Sequence, residues 1–273
     1  MSQTPATPTE VVPTLNTLAD IAALVGVPTA KLTWWIYALS ERKRYTSFEV
    51  ARRNGSRPRL ICAPIKPIKD IQRRLASALA SSYLPTVNVH GFTRTRSPLS
   101  NAKHHQRKAW VLKVDIEDFF PSIKFGRVRG LFMAYPFGYT AEVATVLAQI
   151  CCYRQELPQG APTSPIISNL ICRRLDSQLA RLARSERCHY TRYADDLCFS
   201  TNRTAFPSQL ATRAPSSSTT AGHAIVEILR DNGFQLNAAK SHLMPYSQRQ
   251  RVTGLVVRAY FGRRLGWCVE SLV

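Results

Sequence analysis

The sequence lacks the features that would place it in a membrane or around a structural metal. No apolar run approaches the roughly 18 residues that a membrane-spanning helix needs. The first residues also lack the basic start and apolar stretch of a secretory signal. Seven cysteines occur without a Cys-x-x-Cys pair, and the adjacent His104 and His105 have no carboxylate beside them. We therefore expect a cytoplasmic protein with free thiols, no structural zinc and no membrane partner.

Acidic residues are scarce. The chain has 37 Lys and Arg residues against 17 Asp and Glu residues, which gives a formal net charge of +20. A positive potential of this size attracts phosphate backbones whatever their base sequence, so nucleic acid is the predicted partner. The shortage is also local, because no acidic residue lies between Asp70 and Asp115. A solvated basic face would have the same composition, but a neighbouring active site would use it to guide a polyanion. The residues of this stretch that we assign to nucleic-acid binding are Arg94, Arg96, Arg107 and Lys108.

Three aspartates at the ends of apolar segments form the most informative pattern. Asp195 and Asp196 stand side by side before the apolar run that begins at Leu197, and Asp115 ends the β-branched segment that begins at Val111. Adjacent carboxylates on a buried strand repel each other and lose hydration, so they require positive charge between them. Strand-borne aspartates can hold two Mg²⁺ ions for nucleotidyl transfer. For the tetrapeptide around Asp195 alone, the alternative is a tight turn with two solvated acids.

The remaining patterns predict mixed helix and strand. A chain of 273 residues with 45% hydrophobic content can bury a sizeable core in one large domain or two lobes. Hairpins are predicted over 45–64, with its turn at Asn54-Gly55, and around 193–200. Residues 1–14 are expected to be disordered, and the Ser/Thr/Ala/Pro-rich segment 201–220 is expected to be a mobile surface loop. Helices are predicted at 15–25, 31–39, 68–80, 140–152, 164–182 and 223–231, with Gly233 closing the last of them and a strand from Phe234.

Four segments stand in the order and spacing of reverse transcriptase motifs A to D. They are DIEDFFPSI at 115–123, LPQGAPTSP at 157–165, YADD at 193–196 and GFQLNAAK at 233–240. Within that superfamily the chain resembles the bacterial retron reverse transcriptases, because NAKHH at 101–105 matches their NAxxH element and VTG at 252–254 matches their VTG element. HGF at 90–92 and KDIQ at 69–72 also match. The resemblance covers roughly residues 40 to 257, and the linked set is far more specific than any single motif.

The resemblance implies an α+β fold, a right-hand polymerase with fingers and a ferredoxin-like palm. We assign 1–44 to a disordered start and N-terminal helices, 45–110 to the fingers, 111–257 to the palm with motifs A to D, and 258–273 to a short tail in place of the thumb. The expected thumb is thus missing or truncated.

The resemblance also implies roles for individual residues. Asp115, Asp195, Asp196 and the main-chain carbonyl of Ile116 would bind two Mg²⁺ ions, with Mn²⁺ as the alternative ion. Phe120 would lie beneath the sugar and exclude a 2′-hydroxyl, while Lys240 would give a proton or positive charge to the departing pyrophosphate. The other nucleotide-binding residues would be Gln159, Gly160 and Arg59, with Arg57 as the alternative to Arg59. Asn101 and His105 of the NAxxH element would join the basic residues in binding RNA.

The function that the resemblance implies is that of an RNA-directed DNA polymerase. It would copy a structured noncoding RNA, which serves as template and primer, into branched RNA–DNA with dNTPs, in an anti-phage system with a separate effector protein. Two alternatives remain open. One is an RNA-binding scaffold that has lost polymerase activity, and the other is a different bacterial reverse transcriptase, of the group II intron type or a template-independent defence type.

Overall fold

The computed structural model describes residues 12–51, 58–214 and 218–258. The helices are α1 (Leu18–Leu24), α2 (Thr29–Thr33), α3 (Glu41–Arg44), α4 (Lys66–Ser81), α5 (Pro98–Lys103), α6 (Phe125–Met133), α7 (Ala141–Cys151), α8 (Ser164–Ile171), α9 (Arg173–Ser185) and α10 (His223–Asp231), and a π-helical segment, Trp34–Ala38, follows α2. The strands are β1 (Tyr45–Val50), β2 (Arg59–Pro64), β3 (Trp110–Ile116), β4 (His189–Tyr193), β5 (Asp196–Thr201), β6 (Ala211–Arg213), β7 (Thr219–Ala221), β8 (Leu236–Pro245), β9 (Gln250–Val252) and β10 (Leu255–Arg258).

Each of the two compact units of the chain is built from two separate segments. The first unit takes the described residues up to Leu84 together with Ile123–Ile171, and the second takes Pro85–Ser122 together with the described residues from Cys172 onward. The sequence prediction used contiguous ranges instead, and it placed 123–171 with the palm. Segment 123–171 joins the N-terminal segment because α7 packs against α1 and α4.

The first unit consists of the β1–β2 hairpin and surrounding helices. The antiparallel register runs from Tyr45 opposite Pro64 to Val50 opposite Arg59. Helix α4 carries its apolar residues at helical spacing, and Ile68, Ile71, Leu75 and Leu79 are all buried. Gln72 lies on the same buried face, where its side-chain amide donates to the Tyr45 hydroxyl and to the Ile150 carbonyl, each at 2.7 Å. The amide nitrogen of Gln72 is therefore hydrogen-bonded within this core, as a buried donor should be.

The second unit is built on a four-stranded sheet in the order β4-β5-β3-β8. Each neighbouring pair is antiparallel. The central strand β3 is buried at Val111, Leu112 and at every position from Val114 to Ile116, as a strand between two partners should be. Helix α9 packs on β4, and α10 packs on α9. The short β9–β10 hairpin turns at Thr253 and Gly254, which both have positive φ values, of 47° and 83°.

Several predicted elements are confirmed. Helix α10 has the predicted bounds, and Gly233 follows it with a φ of 67° and donates to the Arg230 carbonyl at 2.8 Å. The predictions at 68–80 and 140–152 match α4 and α7 within two residues. The predicted hairpins over 45–64 and around 193–200 are β1–β2 and β4–β5.

Two predictions are wrong. The single helix expected over 164–182 is broken at Cys172, because α8 is buried on nearly all sides whereas α9 is buried on one face only, and the two helices belong to different units. The segment predicted as a mobile loop contains β6 and β7, with Leu210 and Ala211 buried. Thr219 ties this hairpin to the sheet, since its hydroxyl accepts from the Leu243 N–H at 2.8 Å.

Some predictions lie outside the described residues. These are the turn at Asn54-Gly55, Arg57, residues 1–11 of the predicted disordered start, and all of the predicted tail except Arg258. In the described ranges, no single helix has the length and apolarity needed to span a membrane, although the bent pair formed by Leu18–Leu24 and Thr29–Ala38 meets the length and composition test when taken together.

Candidate active site

The three aspartates lie at one end of the second unit's sheet. Asp115, near the end of β3, is the cross-strand partner of Asp196, the first residue of β5. The Ile116 N–H donates to the main-chain carbonyl of Asp195 at 3.1 Å. Asp195 itself belongs to the tight turn between β4 and β5, whose first residue, Ala194, has a φ of 56°. Residues far apart in the sequence are thereby joined by strand pairing.

Burial and neighbouring negative charge raise the proton affinity of Asp195 and Asp196. Burial, followed by the negative charges of Asp196 and Asp115, raises the pKa of Asp195 to about 6. Burial also raises the pKa of Asp196, although the nearby Lys113 ammonium opposes part of this rise. The site therefore concentrates more negative charge than its surroundings stabilise, which is an arrangement that attracts cations.

Two lysines already bind this cluster. The Lys240 ammonium lies 2.8 Å from Oδ2 of Asp115, and the Lys113 ammonium lies 2.9 Å from Oδ1 of Asp196. Burial lowers the pKa of Lys113, but the charge of Asp196 and its hydrogen bond outweigh this effect and raise it. The sequence prediction placed Lys240 in the site but missed Lys113. The sequence did contain a signal for Lys113, because a charged residue stands between Leu112 and Val114 of an otherwise apolar strand.

The chemistry of the donor set suits a divalent metal, since carboxylate oxygens are the ligands that Mg²⁺ prefers. Across the described ranges, however, no three His, Cys, Asp or Glu side chains are arranged to hold one metal ion together. One oxygen of Asp115 and one of Asp196 are instead bound to lysine ammonium groups. The residues thus supply the ligand type without a preformed metal cage.

A buried ion pair, which the sequence prediction missed, holds the aspartate hairpin against α9. Arg192 of β4 donates from Nε and Nη2 to the two carboxylate oxygens of Asp176, at 2.7 and 2.8 Å, and both side chains are fully buried or nearly so. The Tyr190 hydroxyl donates to the same carboxylate at 2.9 Å. Arg192 also donates from Nη1 to the Ala194 carbonyl at 3.2 Å, in the turn that carries Asp195. Arg192 therefore links the turn that carries Asp195 to helix α9.

Gly91 packs directly against the same turn. The His90 N–H donates to the Arg192 carbonyl at 2.8 Å, which brings the HGF element beside the hairpin. A Cβ atom on Gly91 would lie 2.3 Å from the Ala194 nitrogen, well inside van der Waals contact. Only glycine permits this approach without moving the turn. The structure thus gives the HGF element a steric role.

Two consecutive aromatic residues after Asp115 have different environments. Phe119 is 5% exposed and stacks on Phe234 at 5.8 Å between ring centroids, as a core residue does. Phe120 is half-buried and has its ring centroid 6.0 Å from that of Phe92, which is 44% exposed. Phe120 is therefore partly accessible to solvent, whereas Phe119 is not.

In the first unit, the Gln159-Gly160 pair is fixed to β2. The Gln159 carbonyl accepts from the Cys62 N–H at 2.8 Å. Gly160 has a φ of 125°, and a Cβ atom there would lie 2.9 Å from Cγ2 of Ile61. Arg59 begins the same strand and is exposed. Motif B and the predicted triphosphate-binding arginine are therefore associated with one strand.

The residues predicted to bind RNA divide into two groups. Arg94 and Arg107 are exposed and Lys108 is half-buried, whereas Arg96 donates to the Thr86 and Val89 carbonyls and so braces a loop. The two residues of the NAxxH element differ from all four of these basic residues. Asn101 and His105 are both 0% exposed.

A direct RNA contact by Asn101 or His105 is not what this structure shows. The two ring nitrogens of His105 are within 2.8 Å of the Ser200 hydroxyl and 2.7 Å of the Thr191 hydroxyl. Burial lowers the pKa of His105 to about 3, so the ring is neutral at physiological pH. In this structure neither residue presents an atom at the surface, and their assignment to RNA binding stays a prediction.

The NAxxH and VTG elements support each other. Ala102 of α5 packs in one buried cluster with Val111, Cys198 and Val252. The Thr253 hydroxyl donates to the Pro98 carbonyl at 3.2 Å, at the start of α5. The pairing of these two sequence elements is therefore explained by packing behind β3 and β5.

The comparison with known proteins matches this architecture. The reverse transcriptase (RNA-dependent DNA polymerase) family matches residues 51–257. The chain is 35% identical to the retron Mx65 reverse transcriptase of Myxococcus xanthus over an alignment of 270 residues, which covers 92% of this chain and 60% of that protein. It is 32% identical to the retron Ec86 reverse transcriptase of Escherichia coli over 249 residues, 90% of this chain and 72% of that protein. The chain belongs to the retron-type reverse transcriptases.

This reverse transcriptase chain spans only part of some relatives. It is 34% identical to the retron Mx162 reverse transcriptase of Myxococcus xanthus over 90% of its own length, but covers 54% of that protein. Telomerase from Candida albicans, solved with a fragment of telomeric RNA, superposes with a TM-score of 0.53 at 13% identity, over 80% of this chain and 46% of the telomerase chain. At this identity the likeness concerns the fold alone, and it confirms the predicted α+β polymerase fold.

Proposed function

We propose that this protein is the RNA-directed DNA polymerase of a retron. The observation that carries the proposal is the convergence of Asp115, Asp195 and Asp196 through the register of β3 and β5, in a chain of the retron reverse transcriptase family. The raised pKa values of Asp195 and Asp196 support it, because a cluster of buried, mutually repelling carboxylates is suited to bind cations.

The three aspartates would hold two divalent ions, Mg²⁺ or alternatively Mn²⁺, with the main-chain carbonyl of Ile116 as a further ligand. When bound, the ions would supply the charge that activates the primer hydroxyl and stabilises the triphosphate and the leaving pyrophosphate. Lys240, 2.8 Å from Asp115, is positioned to provide positive charge or a proton near the leaving group. Lys113 orients Asp196 through its ion pair.

We also propose roles in nucleotide binding for Phe120 of motif A and, separately, for residues of the first unit. Phe120 supports a role in excluding a 2′-hydroxyl, because its ring is half-buried and fixed by Phe119 and Phe92. In the first unit, the main chain at Gln159 and Gly160 is rigidly held by β2, and the exposed Arg59 is free of any described acidic partner. We assign these three residues to dNTP binding.

The decisive experiment is primer extension with an Asp195→Asn variant. The purified protein is incubated with its cognate noncoding RNA, dNTPs and Mg²⁺, and DNA product is measured on a gel. We expect product from the unmodified protein and none from the variant, because the amide cannot carry the negative charge that binds a cation. Asp231→Asn is the matched control, since Asp231 is exposed on α10. Tight RNA binding without product in the unmodified protein would favour the scaffold alternative.

The retron-specific part of the proposal concerns the product. We propose that synthesis starts from a 2′-hydroxyl of the structured RNA, which gives branched RNA–DNA, or msDNA, and that the complex acts with a separate effector in anti-phage defence. The 32% identity to the retron Ec86 enzyme over most of both chains supports this assignment. Digestion with ribonuclease should shorten the labelled product without releasing it from its last ribonucleotide. A product that carries no residual ribonucleotide would contradict branched priming.

A further inference from the structure

Helix α9 presents an arginine face that the active site does not use. Arg174, Arg181 and Arg184 are all exposed. At 100° per residue these three side chains fall within about 80° of the helix circumference, and they extend over about 15 Å of its axis. The opposite side of the helix is buried through Leu175, Asp176, Leu179 and Ala183. We call the three arginines the α9 arginine face.

The charges of this face are not balanced by acids. Three other exposed basic residues do have carboxylate partners: Lys124 has Glu156 at 2.8 Å, Arg203 has Glu186 at 3.8 Å, and Arg230 has Glu227 at 3.8 Å. None of the described residues forms an ion pair with Arg174, Arg181 or Arg184, and Asp176, the acid within α9, is taken by Arg192. Arg181 and Arg184 are three residues apart, so they repel each other along the helix. A bound polyanion would remove this repulsion.

The neighbouring side chains indicate which polyanion fits. Ser177 and Ser185, both exposed, lie within or beside the α9 arginine face and add small hydrogen-bonding groups. The face contains no aromatic side chain, so it offers no platform on which unpaired bases could stack. It also contains no large apolar side chain that could enter a lipid surface. Arginine with small polar groups suits the sugar–phosphate backbone of a double-stranded segment.

The α9 arginine face lies away from the catalytic carboxylates. The Arg192 side chain points toward α9, where it binds Asp176. Side chains of adjacent strand residues point to opposite faces, so Tyr193 and its cross-strand partner Asp196 point to the other face of the sheet. Asp115, which pairs with Asp196, lies with them on that other face. A ligand on the outer side of α9 would therefore not occupy the site of nucleotide addition.

We propose that the α9 arginine face binds the backbone of a double-stranded segment of the structured RNA. This contact would anchor the RNA on the back of the sheet while another part of the same molecule is copied. The inference rests on the proposed function only in naming RNA as the partner. It makes no use of the metal site or of polymerase activity.

The test measures RNA binding without dNTPs, so polymerase activity does not enter the result. The variant is Arg174→Gln/Arg181→Gln/Arg184→Gln, and the control is Lys124→Gln/Arg203→Gln/Arg230→Gln, which removes the same net charge from residues that already have acidic partners. The probes are a fluorescein-labelled RNA hairpin and an unpaired RNA of equal length, measured by fluorescence anisotropy over a salt series. We expect the slope of log affinity against log salt for the hairpin to decrease in magnitude by about 2 to 3 in the α9 variant, since each lost phosphate contact removes about 0.9.

Three results would overturn the inference. The first is a slope change in the α9 variant no larger than that in the control variant, and the second is a greater loss of affinity for the unpaired RNA than for the hairpin. The third is an α9 variant that loses binding to anionic phospholipid vesicles while its binding to the hairpin is unchanged. If the triple variant does not fold, as judged by circular dichroism, each single variant should still reduce the slope by about 0.9. A protein that makes no DNA but binds the hairpin through these arginines would support the inference and contradict only the polymerase function.

Discussion

Lys113 and Lys240 show how single residues compensate the charge of the catalytic cluster. Each places its ammonium within 2.9 Å of one aspartate, and Lys113 does so with only 28% of its side chain exposed. An ammonium group supplies one positive charge, whereas a divalent ion supplies two and can contact several carboxylates at once. The two lysines therefore stabilise the aspartates without taking over the chemistry that a metal would supply.

The first prediction concerns Phe120. Replacement by alanine removes the ring that the resemblance places beneath the sugar, so incorporation of ribonucleotides relative to deoxynucleotides should rise, by roughly tenfold or more if the excluded contact is worth more than about 1.4 kcal/mol. Steady-state primer extension with each nucleotide class measures the ratio. Phe206→Ala, which removes a ring that packs on Trp110, is the control. An unchanged ratio would remove the proposed role of Phe120.

The second prediction concerns the pH dependence that His105 brings to stability. Burial lowers its folded-state pKa from 6.5 to about 3, so below pH 6.5 the unfolded chain binds a proton that the folded chain does not. Stability is therefore highest above pH 6.5 and falls as the pH decreases toward 3. Between pH 6.5 and pH 5 this single group should cost about 2 kcal/mol of unfolding free energy.

Urea unfolding followed by circular dichroism at these two pH values tests the contribution of His105. In the His105→Gln variant the decrease on acidification should be smaller by that amount, even if the variant is less stable at both pH values. His223→Gln is the control, because the His223 side chain is 81% exposed. Equal decreases in the His105 variant and the unmodified protein would show that the histidine is protonated in the folded state.

At the scale of elements, the β4–β5 hairpin depends on the Arg192–Asp176 pair for its position. Removing one partner leaves a buried charge without compensation, so Asp176→Leu or Arg192→Met alone should each cost about 3 to 5 kcal/mol of unfolding free energy. The double variant should cost less than either single variant, because no buried charge remains. Denaturant unfolding of all four proteins measures the coupling between the two residues.

The control for this cycle is the exposed Arg203–Glu186 pair, for which the coupling should stay below about 1 kcal/mol. The double variant at 176 and 192 also loses the hydrogen bond from Arg192 to the Ala194 carbonyl. The double variant should therefore fold but extend primers more slowly. If the pair served stability alone, a folded double variant would keep the rate of the unmodified protein. If the losses of unfolding free energy in the two single variants simply add in the double variant, Arg192 and Asp176 do not depend on each other, and the proposed role of the pair is contradicted.

Elements with a local signal could be predicted, and elements fixed by distant contacts could not. Helix α10 ends at Asp231 for a local reason, since the left-handed Gly233 lies two residues beyond it, and β3 is marked by its β-branched run. The break at Cys172 and the β6–β7 hairpin depend on which surfaces bury them, which a sequence window does not contain. The partnership of Arg192 with Asp176 likewise requires the packing of α9 on β4. The grouping of the three aspartates could be predicted, because carboxylates on buried strands require positive charge beside them.

At the scale of the whole molecule, the order of motifs did not reveal how the chain divides. Motifs A, C and D lie in the second unit, whereas Gln159 and Gly160 of motif B lie in the first. The chain crosses between units three times, after Leu84, after Ser122 and after Ile171. No composition change marks any of the three crossings. Contiguous domain boundaries were therefore the natural prediction from sequence, and the discontinuous division had to come from the structure.

The net charge of +20 leads to the last prediction, which separates exposed basic residues from buried polar ones. Arg94 and Lys103 are exposed on the acid-free stretch, whereas His105 is buried and hydrogen-bonded on both ring nitrogens. The Arg94→Gln/Lys103→Gln variant should reduce the salt slope of RNA binding by up to about 1.8 and change the unfolding free energy by less than about 0.5 kcal/mol. The His105→Gln variant should do the reverse, with a lower unfolding free energy and an unchanged slope. Fluorescence anisotropy over a salt series measures the slope, and urea unfolding measures the unfolding free energy. A reduced slope for His105→Gln at unchanged stability would instead place the NAxxH element in contact with RNA.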